Sequence, residues 1–314
     1  MMLEEEDVLI PVKTGVVLKG VMRRDIRTDI GVLLVHPHSK FGGSQRNKII
    51  VTIAFCLAAH HYTTLSIDLR GVNNSSGRAT WGGWDEREDV VAATQWFVRS
   101  GKVKAVYIVG YSFGAAIGAG VAELLPEVRG YVAISYPCGF WVRFLAGAHI
   151  MHARSHKPKM FITGSDDDYT SLKAATKVFE KLPEPKEMEV VQDIGHHWEK
   201  KEEHLAAQIA KYLDTCEKNY SKDFYPKIGE LALVCDGVSH VKADKLAAAS
   251  SAFPDKQLQE KGPEEQKQQK EQQQLVKDWT FEPYPLADAI LDRNLVPLTT
   301  LAVLLLLVMG MVLL

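Results

Sequence analysis

The sequence lacks several features that mark large classes of protein. Its four cysteines are widely spaced and include no CxxC pair or metal-ligand spacing, so we expect reduced thiols rather than a disulfide framework or a metal site. The formal net charge is only −2 over 314 residues, which gives no electrostatic reason to expect a nucleic-acid partner. The N-terminus, MMLEEEDVLIPV, is acidic and has no basic segment followed by a long apolar one. It does not resemble a secretory signal, and we expect a catalytic or binding domain that faces the cytosol.

Charged residues are also missing from the last twenty residues, LVPLTTLAVLLLLVMGMVLL at 295–314. A helix of this length matches the roughly 30 Å hydrocarbon core of a membrane. The alternatives are a buried core helix and the cleaved signal of a GPI anchor. A core helix usually carries a polar face, whereas this segment has only Thr299 and Thr300 near its start. A GPI signal would require prior entry into the secretory pathway, and the N-terminus does not resemble a secretory signal. We therefore predict a single-pass transmembrane tail anchor over 295–314.

Residues 1–216 alternate short β-rich runs with helical stretches, which is typical of parallel βαβ construction. Most of the later runs are continuously apolar, which indicates strands covered on both faces. We predict an α/β domain with a mostly parallel central sheet of about eight strands flanked by helices. The predicted strands are 8–12, 16–22, 31–37, 63–69, 104–110, 130–136, 159–164 and 187–193. The predicted helices begin near Gln45, Trp84, Phe113, Ser171 and Glu199.

Residues 217–294 lose this alternation. The run KGPEEQKQQKEQQQ at 261–274 is polar and of low complexity, so it cannot bury enough apolar surface to offset the entropy of ordering. The stretch GELALVCDGVSHV at 229–241 is apolar enough to pack, but the sequence does not say where. We predict an irregular, low-complexity linker over 217–294 that joins the α/β domain to the tail anchor.

A G-x-S-x-G motif, Gly110-Tyr111-Ser112-Phe113-Gly114, follows the predicted strand 104–110 and precedes a helix rich in small residues. This strand–turn–helix setting is typical of a nucleophile elbow, in which a sharp turn exposes the hydroxyl of the central serine. The helix N-terminus also places positive dipole near a developing oxyanion. The motif alone arises often by chance, but its setting makes Ser112 a candidate nucleophile.

A serine nucleophile needs a base that is oriented by an acid, and in this arrangement the chain order is serine, acid, histidine. Three adjacent aspartates, Asp166, Asp167 and Asp168, follow the predicted strand 159–164. Two adjacent histidines, His196 and His197, follow the last predicted strand. The position of both groups after strands fits a catalytic triad. Because the candidates are adjacent, the spacing leaves the choice among the aspartates and between the histidines open.

Further motifs resemble the α/β-hydrolase superfamily, in particular a small branch without a large lid. The chain has His36-Pro37-His38-Ser39 where that branch has HPHP, followed by Gly42-Gly43 and Asn47-Lys48. It then has Arg70-Gly71-Val72 and Ser75-Ser76-Gly77, which are similar to the RGVG-x-S-x-G segment of the branch. The resemblance covers residues 8–215 and implies an α/β-hydrolase fold and a compact, esterase-like hydrolase that needs no cofactor.

The resemblance also implies roles for individual residues. Ser112 matches the nucleophile, Asp167 matches the acid of a G-T-R-D-x-F pattern, and His196 matches the base of a G-A-D-H-F pattern. The oxyanion hole would be formed by the backbone N–H groups of Phe113 and of His38 or its near neighbour.

The chain departs from the pattern of the branch at several positions. Ser39 replaces a proline, Asn73 and Asn74 interrupt the segment after RGV, and Gly195 stands where an acidic residue is common. These changes remove no catalytic group. His36 is expected to hydrogen-bond a neighbouring loop and shape the oxyanion hole rather than to take part in the chemistry. The short insertion at 137–158 is aromatic and apolar, and it forms either a rim of the site or an ordinary helix.

These features together predict a membrane-anchored serine hydrolase that cleaves an ester or a thioester through an acyl-enzyme intermediate. The anchor makes an acyl lipid or an acyl-protein a plausible substrate, alongside small molecules. The absence of basic residues after 295–314 favours the endoplasmic reticulum over the mitochondrial outer membrane. Two alternatives stay open: a non-catalytic, membrane-tethered binding module on the same fold, and a serine peptidase of that fold.

Overall fold

The structure, a computed structural model, describes residues 4–100, 102–138 and 155–220. Over these residues, eight strands form one sheet and five α-helices cover it. The strands are β1 (Glu4–Pro11), β2 (Val17–Arg24), β3 (Ile30–Val35), β4 (Thr63–Asp68), β5 (Ala105–Tyr111), β6 (Val128–Ile134), β7 (Lys159–Gly164) and β8 (Lys186–Val191). The helices are α1 (Lys48–Ala59), α2 (Trp84–Arg99), α3 (Phe113–Ala122), α4 (Leu172–Phe179) and α5 (Glu202–Tyr220).

The sheet has the strand order β1-β2-β4-β3-β5-β6-β7-β8. Strand β2 pairs antiparallel with both β1 and β4, whereas all pairs from β4 to β8 are parallel. The carboxyl ends of β3 to β8 therefore meet at one edge. Strand β4 lies on one side of β3, whereas β5 to β8 follow one another on the other side, so the strand order reverses between β3 and β5. Ligands of open α/β sheets bind at such a switch point. The loops after β3 and β5 lie there.

The helices cover both faces of the sheet. Strand β3 alternates its side chains, so Val32 and Leu34 share a buried cluster with residues of α1 and α5. Gly31 points to the opposite face, where a side chain would overlap Phe97 of α2. Helix α3 lies on that second face, because Gly118 of α3 packs on Ile108. Strands β3 and β5 are buried along their whole length, which explains their continuous apolar sequences.

The predicted α/β class with a mostly parallel central sheet of about eight strands is confirmed. Helix α5 continues to Tyr220, four residues beyond the predicted domain boundary at 216. None of the helices in the described part of the chain is long and apolar enough to cross a membrane. The predicted tail anchor at 295–314, and the linker from residue 221 onward, lie outside the described residues, as does most of the insertion at 137–158.

Candidate active site

Ser112 sits at the sharp turn between β5 and α3. Its backbone has φ 55° and ψ −117°, a conformation that is costly for a residue with a Cβ atom. A Cβ atom added to Gly110 would overlap the main-chain carbonyl of Gly114, and one added to Gly114 would overlap that of Val35. Both positions of the motif therefore need glycine, because any side chain there would overlap main-chain atoms. The turn places Ser112 at the carboxyl edge of the sheet, where it lines a pocket.

Ser112, His196 and Asp167 form one continuous chain of hydrogen bonds. The Oγ atom of Ser112 lies 3.0 Å from Nε2 of His196, and Nδ1 of His196 lies 2.9 and 3.0 Å from the two carboxylate oxygens of Asp167. A carboxylate only accepts, so Nδ1 carries the imidazole hydrogen and Nε2 is left as an acceptor. This arrangement can remove the proton from the Ser112 hydroxyl.

The neighbouring candidates lie outside this chain of hydrogen bonds. Asp166 accepts a hydrogen bond from Ser165 at 2.8 Å, and His197 is exposed with its ring against Tyr169. Asp168 is exposed. Over the described ranges, no group of three or more His, Cys, Asp or Glu side chains is arranged to hold a metal ion. Of the adjacent residues that the sequence left open, the structure brings only Asp167 and His196 into line with Ser112.

The carboxylate of Asp167 is buried and surrounded by donors. The backbone N–H groups of Tyr169 and Thr170 each donate to one of its oxygens at 2.9 Å. Burial alone would raise the pKa of Asp167, but the hydrogen bond and charge of His196 and the bonds from Thr170 and the Ser135 hydroxyl hold the pKa below its ordinary value. Asp167 is therefore ionised at neutral pH and can stabilise a positive charge on His196.

The predicted oxyanion donors, the N–H groups of Phe113 and His38, lie at the start of α3 and on the loop after β3, and both residues line the pocket. Neither N–H has a hydrogen-bond partner among the described residues. The His38 ring stacks on that of Phe113 with centroids 4.2 Å apart and accepts a hydrogen bond at Nδ1 from the N–H of Lys40. Its Nε2 then carries the hydrogen and faces the carbonyl of Trp81 at 3.4 Å. Burial lowers the pKa of His38, which favours this neutral form.

His36 ties the loop after β3 to the end of β4. It is fully buried; its Nε2 accepts from the backbone N–H of Leu69 at 3.1 Å, and its Nδ1 bonds to the carbonyl of Pro37 at 2.6 Å. Burial lowers the pKa of His36, in keeping with a neutral ring that accepts at Nε2. His36 therefore holds the loop that carries His38, and it makes no hydrogen bond to Ser112.

The pocket beside Ser112 has a volume of about 190 Å³ and mostly apolar walls. Its mouth carries an aromatic rim formed by Phe41, Trp81 and Tyr169, which are 79%, 54% and 57% exposed. The described lining includes three histidines, His38, His196 and His197, and holds no Asp, Glu, Lys or Arg side chain. Its other members are Pro37, Phe41, Gly42, Gly43, Asn47, Trp81, Tyr111, Ser112, Phe113, Pro137 and Tyr169. Such a pocket suits an uncharged, apolar group placed next to the serine.

Known proteins share this architecture. A family model described as "alpha/beta hydrolase fold" matches residues 33–148, which include the end of β3, the elbow and Ser112. An α-β serine hydrolase homologue from Coxiella burnetii has a TM-score of 0.60 at 24% identity, over 68% of this chain and 99% of that one. The chain has the α/β-hydrolase fold. The predicted α/β-hydrolase fold is thereby confirmed.

Two further proteins are similar to this chain. The Pyrococcus furiosus esterase Pf2001 has a TM-score of 0.59 at 20% identity, over 68% of this chain and 93% of that one. An uncharacterized protein of Rickettsia prowazekii is 27% identical over 198 residues, which are 60% of this chain and 80% of that protein. At these identities the solved structures establish the fold alone.

Sequence reasoning missed three side chains that support the candidate site. Tyr111 donates to the carbonyl of His196 at 2.9 Å, and the Trp198 indole N–H donates to the hydroxyl of Ser135 at 3.0 Å. Tyr111 could have been singled out, because it stands inside the motif. Ser135 and Trp198 lie far apart in sequence and carry no local signal.

Proposed function

We propose that this chain is a serine hydrolase that cleaves an ester or a thioester through an acyl-enzyme intermediate. The observation that carries the proposal is the hydrogen-bonded chain from Asp167 through His196 to Ser112, which ends at a strained turn. A serine hydroxyl is a weak nucleophile unless a base takes its proton, and His196 Nε2 is the only acceptor that this chain of bonds offers it.

The reaction would proceed in two halves. Ser112 Oγ attacks the carbonyl carbon while its proton passes to His196 Nε2, and the N–H groups of Phe113 and His38 receive the charge that develops on the carbonyl oxygen. The bond from the carbonyl carbon to the leaving alcohol or thiol then breaks while His196 gives its proton to that group, and the acyl group stays on Ser112. Water then attacks the acyl-enzyme, gives its proton to His196 and releases the acid, and Ser112 regains its proton. Asp167 keeps Nδ1 protonated throughout.

The substrate side of the proposal rests on the pocket. Its apolar walls and aromatic rim suit the hydrocarbon part of an acyl group, and the described part of its lining holds no anionic side chain that would recognise the free amine of a peptide N-terminus. This favours acyl esters and thioesters over aminoacyl amides. An uncharged segment at 295–314 would bring such a site close to a membrane, where acyl lipids and acylated proteins are found.

The test is hydrolysis of a panel of substrates by the full chain. We expect turnover of p-nitrophenyl acyl esters and acyl thioesters, little turnover of aminoacyl anilides, and a loss of at least about 10³-fold in kcat for Ser112→Ala. Ser100→Ala, at the end of α2, is the matched control and should match the wild type. Folded wild-type protein that turns over none of these substrates would support the binding-module alternative, and preferential cleavage of the anilides would support the peptidase.

Membrane attachment is a separate part of the proposal and needs its own experiment. Cell fractionation of the full chain and of a chain ending at residue 294 should show the first in membranes, with the endoplasmic reticulum expected, and the second in the soluble fraction. A truncated chain that stays with the membrane would contradict an anchor at 295–314.

A further inference from the structure

A second cavity lies over the antiparallel strands β1 and β2 and their neighbour β4. It has a volume of about 300 Å³, which falls in the range of small-molecule sites. Among the described residues, it shares no lining residue with the pocket beside Ser112. The loop after β3 separates the two, because its Gln45 and Arg46 line the second cavity whereas its Gly43 and Asn47 line the pocket. The second cavity is therefore a distinct space.

The walls of the second cavity are polar. Side chains alternate along a strand, so Ser66 and Asp68 of β4 point to one face of the sheet. Val21 of β2 and Asp7 of β1, which lie beside Ser66 in the register, share that face. In the described part of the lining, Val21 and Val51 are the only apolar residues. The cavity thus differs from the apolar pocket beside Ser112 and does not suit a hydrocarbon chain.

Two buried polar groups on the wall of the second cavity lack a hydrogen-bond partner. Ser66 is 2% exposed and Gln45 is 7% exposed, and both residues line the cavity. Among the described residues, neither the Ser66 hydroxyl nor the Oε1 atom of Gln45 makes a hydrogen bond. Buried polar groups are nearly always hydrogen-bonded, since leaving one without a partner is costly. A molecule in the cavity that donates and accepts hydrogen bonds would supply both partners.

A network around Asp68 fixes the orientation of Gln45. The Asp68 carboxylate accepts hydrogen bonds from the backbone N–H of Gln45 at 2.8 Å, from its side-chain amide at 3.0 Å and from the amide of Asn73 at 2.8 Å. Because a carboxylate only accepts, the Gln45 amide turns its nitrogen to Asp68 and leaves Oε1 for another donor. Asn73 and Asn74, which interrupt the segment after RGV, both line this cavity. The departure from the branch pattern therefore adds polar side chains here.

The charged side chains of the second cavity balance one another. Three acidic and three basic residues belong to its described lining, so that lining carries no net charge. Two ion pairs account for most of them: Arg23 lies 3.0 Å from Glu5, and Lys19 lies 3.5 Å from Asp7. Because these charges are already matched, a charged ligand would gain little. A neutral ligand with hydroxyl groups fits both the charge balance and the groups that lack partners.

We propose that the second cavity is a binding site for a small neutral molecule with several hydroxyl groups, such as a polyol or a monosaccharide. Each hydroxyl group of such a ligand donates one hydrogen bond and accepts others, which matches the Ser66 hydroxyl and the Oε1 atom of Gln45. The C–H groups of the ligand would pack against Val21 and Val51. The site goes beyond the proposed hydrolysis, because Ser112 does not belong to it.

Saturation-transfer NMR on the full chain tests the site, with myo-inositol and D-glucose as probes. We expect saturable binding of at least one probe, and weaker binding of glycine and of inorganic phosphate, which carry charges. Ser66→Ala should raise the Kd of the bound probe about fivefold or more, since one hydrogen bond to the ligand is lost. Its thermal midpoint without ligand should not fall, because the Ser66 hydroxyl has no partner to lose within the described chain.

Thr64→Val is the matched control for Ser66→Ala. Thr64 stands two residues earlier on the same face of β4, is fully buried and also has a hydroxyl with no hydrogen-bond partner among the described residues, but it does not line the cavity. Thr64→Val should leave the Kd of the probe unchanged. A second variant, Val51→Phe, adds bulk near the partly exposed start of α1 and should abolish saturation transfer by filling the cavity.

Folded wild-type protein that transfers saturation to neither probe would overturn the proposal and leave a cavity that holds water only. Equal Kd values for the wild type and Ser66→Ala, or equal losses in Ser66→Ala and Thr64→Val, would overturn it too, as would tighter binding of glycine or phosphate. The assay measures binding and not turnover, so Ser112→Ala should bind the probe like the wild type. Failure of this site therefore leaves the hydrolase standing, and failure of the hydrolase leaves this site standing.

Discussion

The Tyr111 hydroxyl donates a hydrogen bond to the main-chain carbonyl of His196 over 2.9 Å. Tyr111 directly precedes Ser112, so the turn that carries the nucleophile is tied to the loop that carries the base. The phenol is buried, and burial raises its pKa far above neutral, which keeps it a donor. The position before the serine in the G-x-S-x-G motif therefore holds a residue that links two parts of the site.

We predict that Tyr111→Phe lowers kcat about tenfold, because the His196 carbonyl loses its anchor and the base is held less firmly. The matched control is Tyr107→Phe on the same strand, which removes a bond of 2.7 Å from a buried phenol to Glu217. Each variant should lose about 1 kcal/mol in the free energy of unfolding, since each removes one hydrogen bond. Equal kcat values in the two variants would show that the Tyr111 bond serves stability alone.

The two adjacent histidines should behave very differently when they are replaced. His196→Ala removes the acceptor for the Ser112 proton, and we predict a loss of about 10³-fold or more in kcat. His197 is exposed and makes no hydrogen bond to Ser112 or Asp167, so His197→Ala should stay within about tenfold of the wild type. Steady-state kinetics on one ester decide the matter. A larger loss in His197→Ala than in His196→Ala would reverse the assignment of the base.

Gly114 and Gly195 offer a test of the packing around the site. An alanine at Gly114 would place its Cβ against the main-chain oxygens of Val35 and His36, which cannot move aside. We predict a loss of about 1–3 kcal/mol or more in the free energy of unfolding, together with lost activity. Gly195 has only the Asp166 carbonyl oxygen at 3.6 Å, so Gly195→Ala should stay within about 0.5 kcal/mol in urea unfolding. A Gly114→Ala protein as stable as Gly195→Ala would mean that the elbow is looser than the structure indicates.

The ionised Asp167 should contribute to stability in a pH-dependent way. Its pKa is lower in the folded protein than the value of about 3.9 expected in the unfolded chain. The contribution is therefore complete above about pH 4 to 5 and is lost as the pH falls through the lower, folded value. We predict that the free energy of unfolding of the wild type, minus that of Asp167→Asn, decreases as the pH is lowered from about 5 to 3. Urea unfolding across this range measures the difference, and a difference that grows in acid would contradict a lowered pKa.

Much of the fold could be predicted from local patterns. Strands such as β3 and β5 are short apolar runs bounded by turn residues, and all eight predicted strands overlap observed ones. The antiparallel pairing of β2 with β1 and β4 was less accessible, because pairing depends on contacts between distant segments. Helix α5 ran past the predicted boundary at residue 216, since the end of a helix leaves a weak signal without a glycine or proline.

The site could also be predicted in part, where its residues stand in a local sequence pattern. Ser112 was marked by its strand–turn–helix setting, which is local. The neighbours Asp166, Asp167 and Asp168 are alike in sequence, and only their orientation after β7 separates them. Ser135 and Trp198 contact each other across 63 positions, so no window of sequence could pair them. Local chemistry thus predicted the reacting groups, and tertiary structure was needed for the groups that position them.

The most direct test of the central claim is labelling of the full chain with a fluorophosphonate probe, followed by mass spectrometry of the adduct. An activated serine attacks such a probe, so the wild type should carry one adduct on Ser112, His196→Ala should be labelled far more slowly, and Ser112→Ala should carry none. An unlabelled wild type, or equal labelling of Ser112→Ala, would contradict the account of Ser112 as the nucleophile.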